Sequence, residues 1–527
     1  MAAEDWSLSD AQRQETVSRV ANNVSAMAFF RGSPIADEAV QAAAAAIEKK
    51  AYTVARVEAR TTTGTRPHHE TLKAYVRKLS ALALKVVVSG GEAPSASGGG
   101  DGAAAADQLD LSSGGREFLT RESAEELLAP MLAPGSKITS IRFSTKSFGV
   151  EAAEVAARAI ENVAASLLVA DMSDIIAGRP EAEALSALRI ISAALGKARL
   201  RDLNLSDNAL GEKGVRACAA AFSEQEALES IAFQNVGLSV HGCEALDELM
   251  PNTASLRRLH LYNNMSGDEG ASAIGRLLSR CPAMEDFKMV SSRVAAQGGV
   301  ALVQGLAAAS GLRRLDLHDN AITAEFVPHL APVLSSQPQL TALILSDTSL
   351  GDEGVAAVCA ALTAGGDAAP QLQELELALN EITPEGATAV AACVAVKPAL
   401  RRLNLRENEL EDEGAVSIAK ALVGLRLLES LDASSNQLKR GGAAALAKAC
   451  ARKPGLALLA LDDNEISEAG VEALQDIMRR IGKPEALGSL EDNMPDEEDE
   501  GVEDDGIDLD DAAGDDLAAA MGNARIE

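Results

Sequence analysis

Segments of this chain lie over one another with little gap: LRDLNLSDNAL from Leu200, LRRLHLYNNMS from Leu256, LRRLDLHDNAI from Leu312, LRRLNLRENEL from Leu400 and LLALDDNEI from Leu458. The ninth position of the unit falls at Asn208, Val236, Asn264, Ser292, Asn320, Thr348, Asn380, Asn408, Asn436 and Asn464, a step of 28 residues throughout except 32 before Asn380. A unit of that length cannot bury its apolar face alone. It must stack on its neighbours, so the chain folds as an array that grows along one axis.

Within the unit, positions one, four, six and eleven are aliphatic and alternate inward on a short strand, which stacks them into one column between coils. This is the leucine-rich-repeat pattern. Two looser units, ITSIRFSTKSF from Ile138 and LLVADMSDIIA from Leu167, precede the regular ones and bring the array to about twelve between Ile138 and Ile466. The longer step is an insertion around Gly365-Gly366-Asp367 that leaves the register intact. The ninth-position Asn stands where the backbone leaves the strand, where an amide can satisfy groups that no ladder reaches. Six residues later a Gly recurs (Gly214, Gly242, Gly270, Gly298, Gly354, Gly386, Gly414, Gly442, Gly470) and opens an Ala-rich helical segment. The expected fold is α/β: a leucine-rich-repeat solenoid of strand-turn-helix units, a horseshoe of the ribonuclease-inhibitor kind with a parallel sheet on its inner face.

Positions three, five and seven then face solvent on the inner side. They include Arg258, His260, Tyr262, Lys288, Arg314, His318, Arg402 and Arg406, so the middle of the inner face reads as more basic than the molecule and as a place for a charged protein ligand. Residues 1–88 read as a small all-α domain, with SDAQRQETVSRVANNV capped at Ser9 or Asp10. Residues 89–107, rich in Gly, Ala and Ser, read as a flexible linker, 108–490 as the repeats, and 491–527 as a disordered tail. That tail holds sixteen acidic residues and one Arg, about half of the net charge of −30.

The acidic balance argues against a nucleic-acid surface. No signal-peptide profile and no membrane-length apolar run is present. The six cysteines lack metal or disulfide spacing and suit an intracellular chain of reduced thiols. No phosphate loop, HExxH, CxxC or nucleophile elbow occurs, and His68-His69 reads as a solvated loop pair.

Two features interrupt the period. GRPEAEALSAL from Gly178 inserts Arg179 on a loop between the units of Ile175 and Asn208. The plain alternative there is a surface arginine on a tolerated insertion. Asn235 precedes Val236, the ladder position that lacks Asn, and so reads as free to point outward; Asp207, Asn263, Asp319 and Asp347 are its eighth-position counterparts.

SDIIAGRPEAEAL from Ser173, LNLSDNALGEKGVRA from Leu203 and HLYNNMSGDEGA from His260 closely resemble the Ran GTPase-activating proteins of plants and green algae. FSTKSFGVEAAEVA from Phe143, RESAEELLAPM from Arg121, LRENELEDEGA from Leu405 and the acidic tail carry the likeness from about Glu117 onward. The resemblance implies a horseshoe that accelerates GTP hydrolysis by the small GTPase Ran without an arginine finger, unlike the commoner mechanism. It implies that Asn235 helps position the glutamine of Ran that orients the attacking water. It gives Arg179 a part in binding Ran, with Asp207, Asn263, Arg258, Lys288, Asp319 and Asp347 as further contact candidates. The chain would hold no cofactor, since GTP and Mg²⁺ belong to Ran, and would not itself be a hydrolase. It would be a cytoplasmic monomer that maintains the RanGTP/RanGDP gradient for nucleocytoplasmic transport. Ran-binding protein and anchors at the cytoplasmic face of the nuclear envelope would be further partners, with no nucleic acid and no membrane insertion.

The N-terminal segment, with AIEKKAYTVA from Ala46, is similar to the plant WPP targeting domain, although the family's Trp-Pro-Pro stands here as Trp6-Ser7-Leu8. The rival class is a non-catalytic repeat scaffold or inhibitor, which fold analogy alone leaves open. The insertion carrying Arg179 argues against it.

Overall fold

The computed structural model describes residues 107–493, less 113–114, 365–367 and 452, together with the helix Asp37–Thr61 and isolated positions between 13 and 79. Trp6-Ser7-Leu8, His68-His69, nearly all of the linker and residues 494–527 lie outside the described residues. The chain divides into two compact units, Met1–Ala103 and Ala104–Glu527.

In the first unit, Val40, Ala43, Ala44, Ile47 and Ala51 form one stripe of the helix Asp37–Thr61 and are buried with Val20, Val24, Tyr75 and Leu79. A buried carboxylate survives there because it is fully engaged. Glu48 accepts from Nε and Nη2 of Arg13 at 2.8 and 2.6 Å and from the Tyr75 hydroxyl at 3.0 Å. Burial, then the bond to Glu48, pushes the Tyr75 phenol above its ordinary value.

The second unit is a solenoid. Among the described residues its parallel sheet has thirteen strands in chain order. They are Gln108–Asp110, Ser140–Arg142, Val169–Asp171, Asp202–Asn204, Ser230–Gln234, Arg258–Tyr262, Asp286–Val290, Arg314–Asp316, Ala342–Ile344, Glu374–Glu376, Arg402–Asn404, Ser430–Asp432 and Leu458–Ala460. Like positions pair throughout, as in Arg258↔Asp286, Leu259↔Phe287 and His260↔Lys288. Fourth-position residues therefore stack continuously from Leu203 through Ile231, Leu259, Phe287 and Leu315 to Leu459, none more than 1% exposed. Burying a side chain of that size contributes about 1.5–3 kcal/mol, so the column supplies much of the cohesion between units.

The ladder asparagines join consecutive units. Asn320 Oδ1 accepts from the N–H groups of Ser292 and Val294 at 3.1 and 3.0 Å, while Nδ2 donates to the carbonyls of Met289, Leu317 and His318. The recurring glycines have a specific reason in three units. A Cβ on Gly386 would lie 2.1 Å from Oδ1 of Asp352, the carboxylate that accepts from the Thr383 N–H. Asp268 and Asp412 stand in the same relation to Gly298 and Gly442.

A second polar column, unread in the sequence, lies three residues before the units at Gln225, Gln337, Lys397 and Lys453, all buried. Gln337 Nε2 donates to the Ala309 carbonyl at 2.7 Å and its Oε1 accepts from the Leu312 N–H. Lys397 Nζ reaches the carbonyls of Leu362, Ala368 and Ala369, and burial lowers its pKa. Both residue types cap carbonyls left by the preceding unit.

The structure adds to both ends of the array and changes the account of its inner face. The array has one strand more than the units read from sequence, because Gln108–Asp110 pairs with Ser140–Arg142. Its unit lacks both the ninth-position Asn and the Gly-led helix that mark the repeat; the chain instead runs into Glu117–Leu119, which pairs with Lys146–Phe148 in a small second sheet. At the other end, Asn493 Oδ1 accepts from the Asn464 N–H at 2.9 Å and Leu487 bridges to Leu459. The last unit thus closes three residues inside the stretch assigned to the tail.

The inner face is not a free basic surface. Arg258 lies between Asp202 and Asp286, Lys288 and His318 face Asp316, and Arg314 crosses the strand of Ala342 to Glu374. The acids occupy the same solvent-facing positions as the bases and sit deeper, so each charge is met within the sheet. Burial, then Glu374, raises the Glu376 carboxyl to about 7.

Candidate functional site on the rim

At the end of twelve of these strands the eighth position takes a left-handed backbone: Thr145, Asp174, Asp207, Asn235, Asn263, Ser291, Asp319, Asp347, Leu379, Glu407, Ser435 and Asp463, with φ between 48° and 69°. Short polar side chains tolerate that conformation best, which accounts for most of the residues found there. The main chain fixes it from the next unit, since the N–H of Asp207, Asn235 and Asn263 donates to the carbonyls of Gln234, Tyr262 and Val290. Adjacent parallel strands are about 4.8 Å apart, so these turns carry their side chains out in a row at that pitch.

This geometry revises the reason for singling out Asn235. Asp207 and Asn263 stand beside intact ladder residues, Asn208 and Asn264, and are exposed as Asn235 is. The left-handed turn, not the missing ladder amide, directs position eight outward. The N–H groups of Val236 and Leu238 are served by Asn264 Oδ1 at 3.3 and 3.1 Å.

The three side chains are joined. Asn235 Nδ2 donates to Asp207 Oδ1 at 3.2 Å, and Asn235 Oδ1 accepts from Asn263 Nδ2 at 3.1 Å. Each Asn has four hydrogen-bonding sites, so this chain leaves Asn235 with one N–H and one lone pair to offer. The next unit carries two exposed apolar side chains, Tyr262 at 40% and Met265 at 56%, and the Tyr262 carbonyl accepts from the Asn235 N–H. The sequence places Tyr262 on the inner face, and the signal for Met265 is an apolar tenth position after two asparagines.

Asp319 and Asp347 lie further along the same row, where burial, then Asp319, raises the Asp347 carboxyl. With Asn263, Ser291, Arg293 and Ser349 they line a shallow groove. Arg258 and Lys288 are on the sheet face, not on the rim.

Arg179 does not project. Its side chain is 15% exposed and turned into the fold, where Nε donates to Ser147 Oγ at 3.1 Å and Nη2 donates to the carbonyls of Ser147 and Leu119 at 2.8 and 3.3 Å. Nη1 pairs with Glu183 at 3.2 Å. The guanidinium lies 5.0 Å from the centre of the Phe118 ring, which also rests on Gly178. Phe118 is 54% exposed, and Arg116 makes a forked pair with the rim residue Asp174. Arg116, Asp174, Gly178, Arg179, Lys213 and Asp207, the acceptor for Asn235, help line a groove of about 720 Å³.

The six thiols are buried and show no disulfide. Burial pushes Cys218 and Cys450 up to about 12 and Cys243 and Cys281 to about 11, which disfavours a nucleophilic thiolate. Among the described residues no helix is long and apolar enough to cross a membrane, and no His, Cys, Asp and Glu group is placed to hold a metal ion. The rim can orient a group brought by another molecule. It offers amide donors and carboxylate acceptors on a rigid frame.

The Leucine Rich repeat family model matches residues 199–217, 337–359, 369–391 and 397–419. RAN GTPase-activating protein 1 of Arabidopsis thaliana is 49% identical over 123 residues, 23% of this chain and 23% of that protein. RAN GTPase-activating protein 2 of the same plant is 41% identical over 234 residues, 43% of this chain and 42% of that protein. The ribonuclease inhibitor of Sus scrofa is 31% identical over 192 residues, 36% of this chain and 41% of that protein. The two plant proteins are homologues of this chain, which spans less than half the length of either.

Proposed function

We propose that this chain stimulates GTP hydrolysis by Ran and does so without an arginine finger. Homology to two plant RAN GTPase-activating proteins supports the reaction and the partner. The observation that carries the mechanism is Asn235, exposed on a backbone-fixed turn and held between Asp207 and Asn263. Hydrolysis in this enzyme class depends on orienting the attacking water through a glutamine of the GTPase. An amide with one free donor and one free acceptor, fixed on a rigid frame, can hold that glutamine productively, and such positioning lowers the barrier without new covalent chemistry. Arg179 supports the finger-free reading, because four of its five N–H groups are already committed to oxygens of its own chain.

In this reading GTP and Mg²⁺ are bound by Ran, and the chain acts as an activator. It works in the cytoplasm or at the cytoplasmic face of the nuclear envelope, where it keeps Ran in its GDP form. The ribonuclease-inhibitor likeness fits a purely binding role equally in fold but leaves the homology to activators without a reason. Single-turnover hydrolysis by GTP-loaded Ran separates the two. The full chain is expected to accelerate it, and Asn235→Ala to lose most of the acceleration with unchanged folding; correctly folded protein that leaves the rate at Ran's own value would overturn the assignment.

A further inference from the structure

We infer that Asp207 is a positioning residue: as the acceptor that ends the chain Asn263 to Asn235 to Asp207, it fixes which end of the Asn235 amide points which way. The inference rests on the proposed function for its consequence, though not for its geometry.

An asparagine amide has a donor end and an acceptor end of nearly equal shape, so packing alone does not choose between its two flips. On an exposed rim both would be populated. A carboxylate removes the degeneracy, because it only accepts. With Asp207 Oδ1 at 3.2 Å, the NH₂ of Asn235 must face it; the flipped amide would set two acceptors against each other. The Oδ1 of Asn235 then faces Asn263, whose own NH₂ is drawn into the chain at 3.1 Å. Each bond polarises the next in the same direction.

The backbone makes this more than a chance contact. All three turns are left-handed, with φ of 57°, 53° and 51°, and each N–H is held by the following unit. The side chains therefore leave the rim at matched height and spacing. The donor end of the Asn235 amide faces Asp207, which also lines the Arg116 and Arg179 groove, and its acceptor end faces Asn263. A partner amide bound there meets a defined polarity. When docking excludes water, the energetic difference between correct and flipped amides grows.

The test separates polarity from charge. Asp207→Asn lets Asn235 adopt either flip. The double variant Asp207→Asn/Asn263→Asp restores the net charge but moves the carboxylate to the other side, which holds the amide reversed. With the full chain saturating GTP-loaded Ran, the single-turnover rate is expected to fall in the order wild type, Asp207→Asn, double variant. The last should lose about tenfold, equal to ~1.4 kcal/mol, while the half-saturating concentration changes less. A double variant that recovers the rate lost in Asp207→Asn would show a simple charge effect and overturn the inference. A readout without Ran decides the geometry by itself. The side-chain NH₂ signals that vanish in Asn235→Ala should shift in Asp207→Ala more than in Asn263→Ala; the reverse order would mean the chain runs the other way. If wild-type protein fails to accelerate Ran, the proposed function falls, and these signals still decide the polarity.

Discussion

Arg179 Nη2 donates to the main-chain carbonyl of Ser147 at 2.8 Å while Nε donates to the hydroxyl of the same residue, so one guanidinium ties the loop after Gly178 to the unit before it. Arg179→Ala leaves a partly buried carbonyl without its donor, a loss of about 1–3 kcal/mol. Hydrogen exchange is expected to quicken at 117–119 and 146–148. Arg179→Lys should not restore protection, because an ammonium cannot span the fork and cover the Phe118 ring. Unchanged exchange in both variants would contradict the anchoring role.

Asn320→Ala deletes three hydrogen bonds to buried backbone groups of the preceding unit and two to carbonyls of its own. A loss of about 2–4 kcal/mol is expected, read as a shift in the urea midpoint. Its exposed neighbour Asp319, mutated to Ala, should shift the midpoint far less. Equal shifts would mean that the ladder is not what joins the units.

Lys397 and Gln337 occupy one column with one task, and that yields an asymmetric prediction. Lys397→Met, close in volume, strands the carbonyls of Leu362 and Ala368 and should destabilise by about 2–3 kcal/mol. Lys397→Gln keeps a donor and should lose less than half as much. Thermal unfolding of the two variants checks the order, and Met tolerated as well as Gln would contradict it.

Glu376 and His318 make stability fall with rising pH. Burial, then Glu374, raises the Glu376 carboxyl from 4.5 to about 7, so the folded state holds a proton that the unfolded chain has released. Its contribution is complete below about pH 4.5 and lost as pH rises through 7. The bond to Asp316 raises His318 above its ordinary value, with the same sign: stability present below 6.5 is lost above the folded value. Glu376→Gln should flatten the slope between pH 5 and 8 by about 1–2 kcal/mol, allowing for solvent screening at a partly exposed site. A slope unchanged in the variant would assign the dependence elsewhere.

The repeat was legible because one physical demand recurs: the column at Leu259, Phe287 and Leu315 must be apolar in every unit, and Asn264 or Asn320 must serve the same orphaned backbone groups each time. What stayed hidden depends on pairs rather than periods. The reading of a basic inner face counted Arg314 and Lys288 without Glu374 and Asp316, which lie one or two strands away and become neighbours only in the sheet. Lys397 and Lys453 carry no signal in the period, because a buried lysine is understood only through the carbonyls above it. The outward turn of Asn235 belongs to the whole row rather than to the missing ladder amide, and its connection to Asp207 and Asn263 is what the folded chain adds.

The left-handed turn at position eight separates two kinds of inheritance in this molecule. Leu379 and Glu407 show that the turn forms even where the residue is a poor match for it, because the next unit's carbonyl holds the N–H regardless. The rim thus behaves like a row of addressed sockets, each with the same backbone and an independent side chain. Recognition could be rewritten there one character at a time, while the solenoid beneath stays the same.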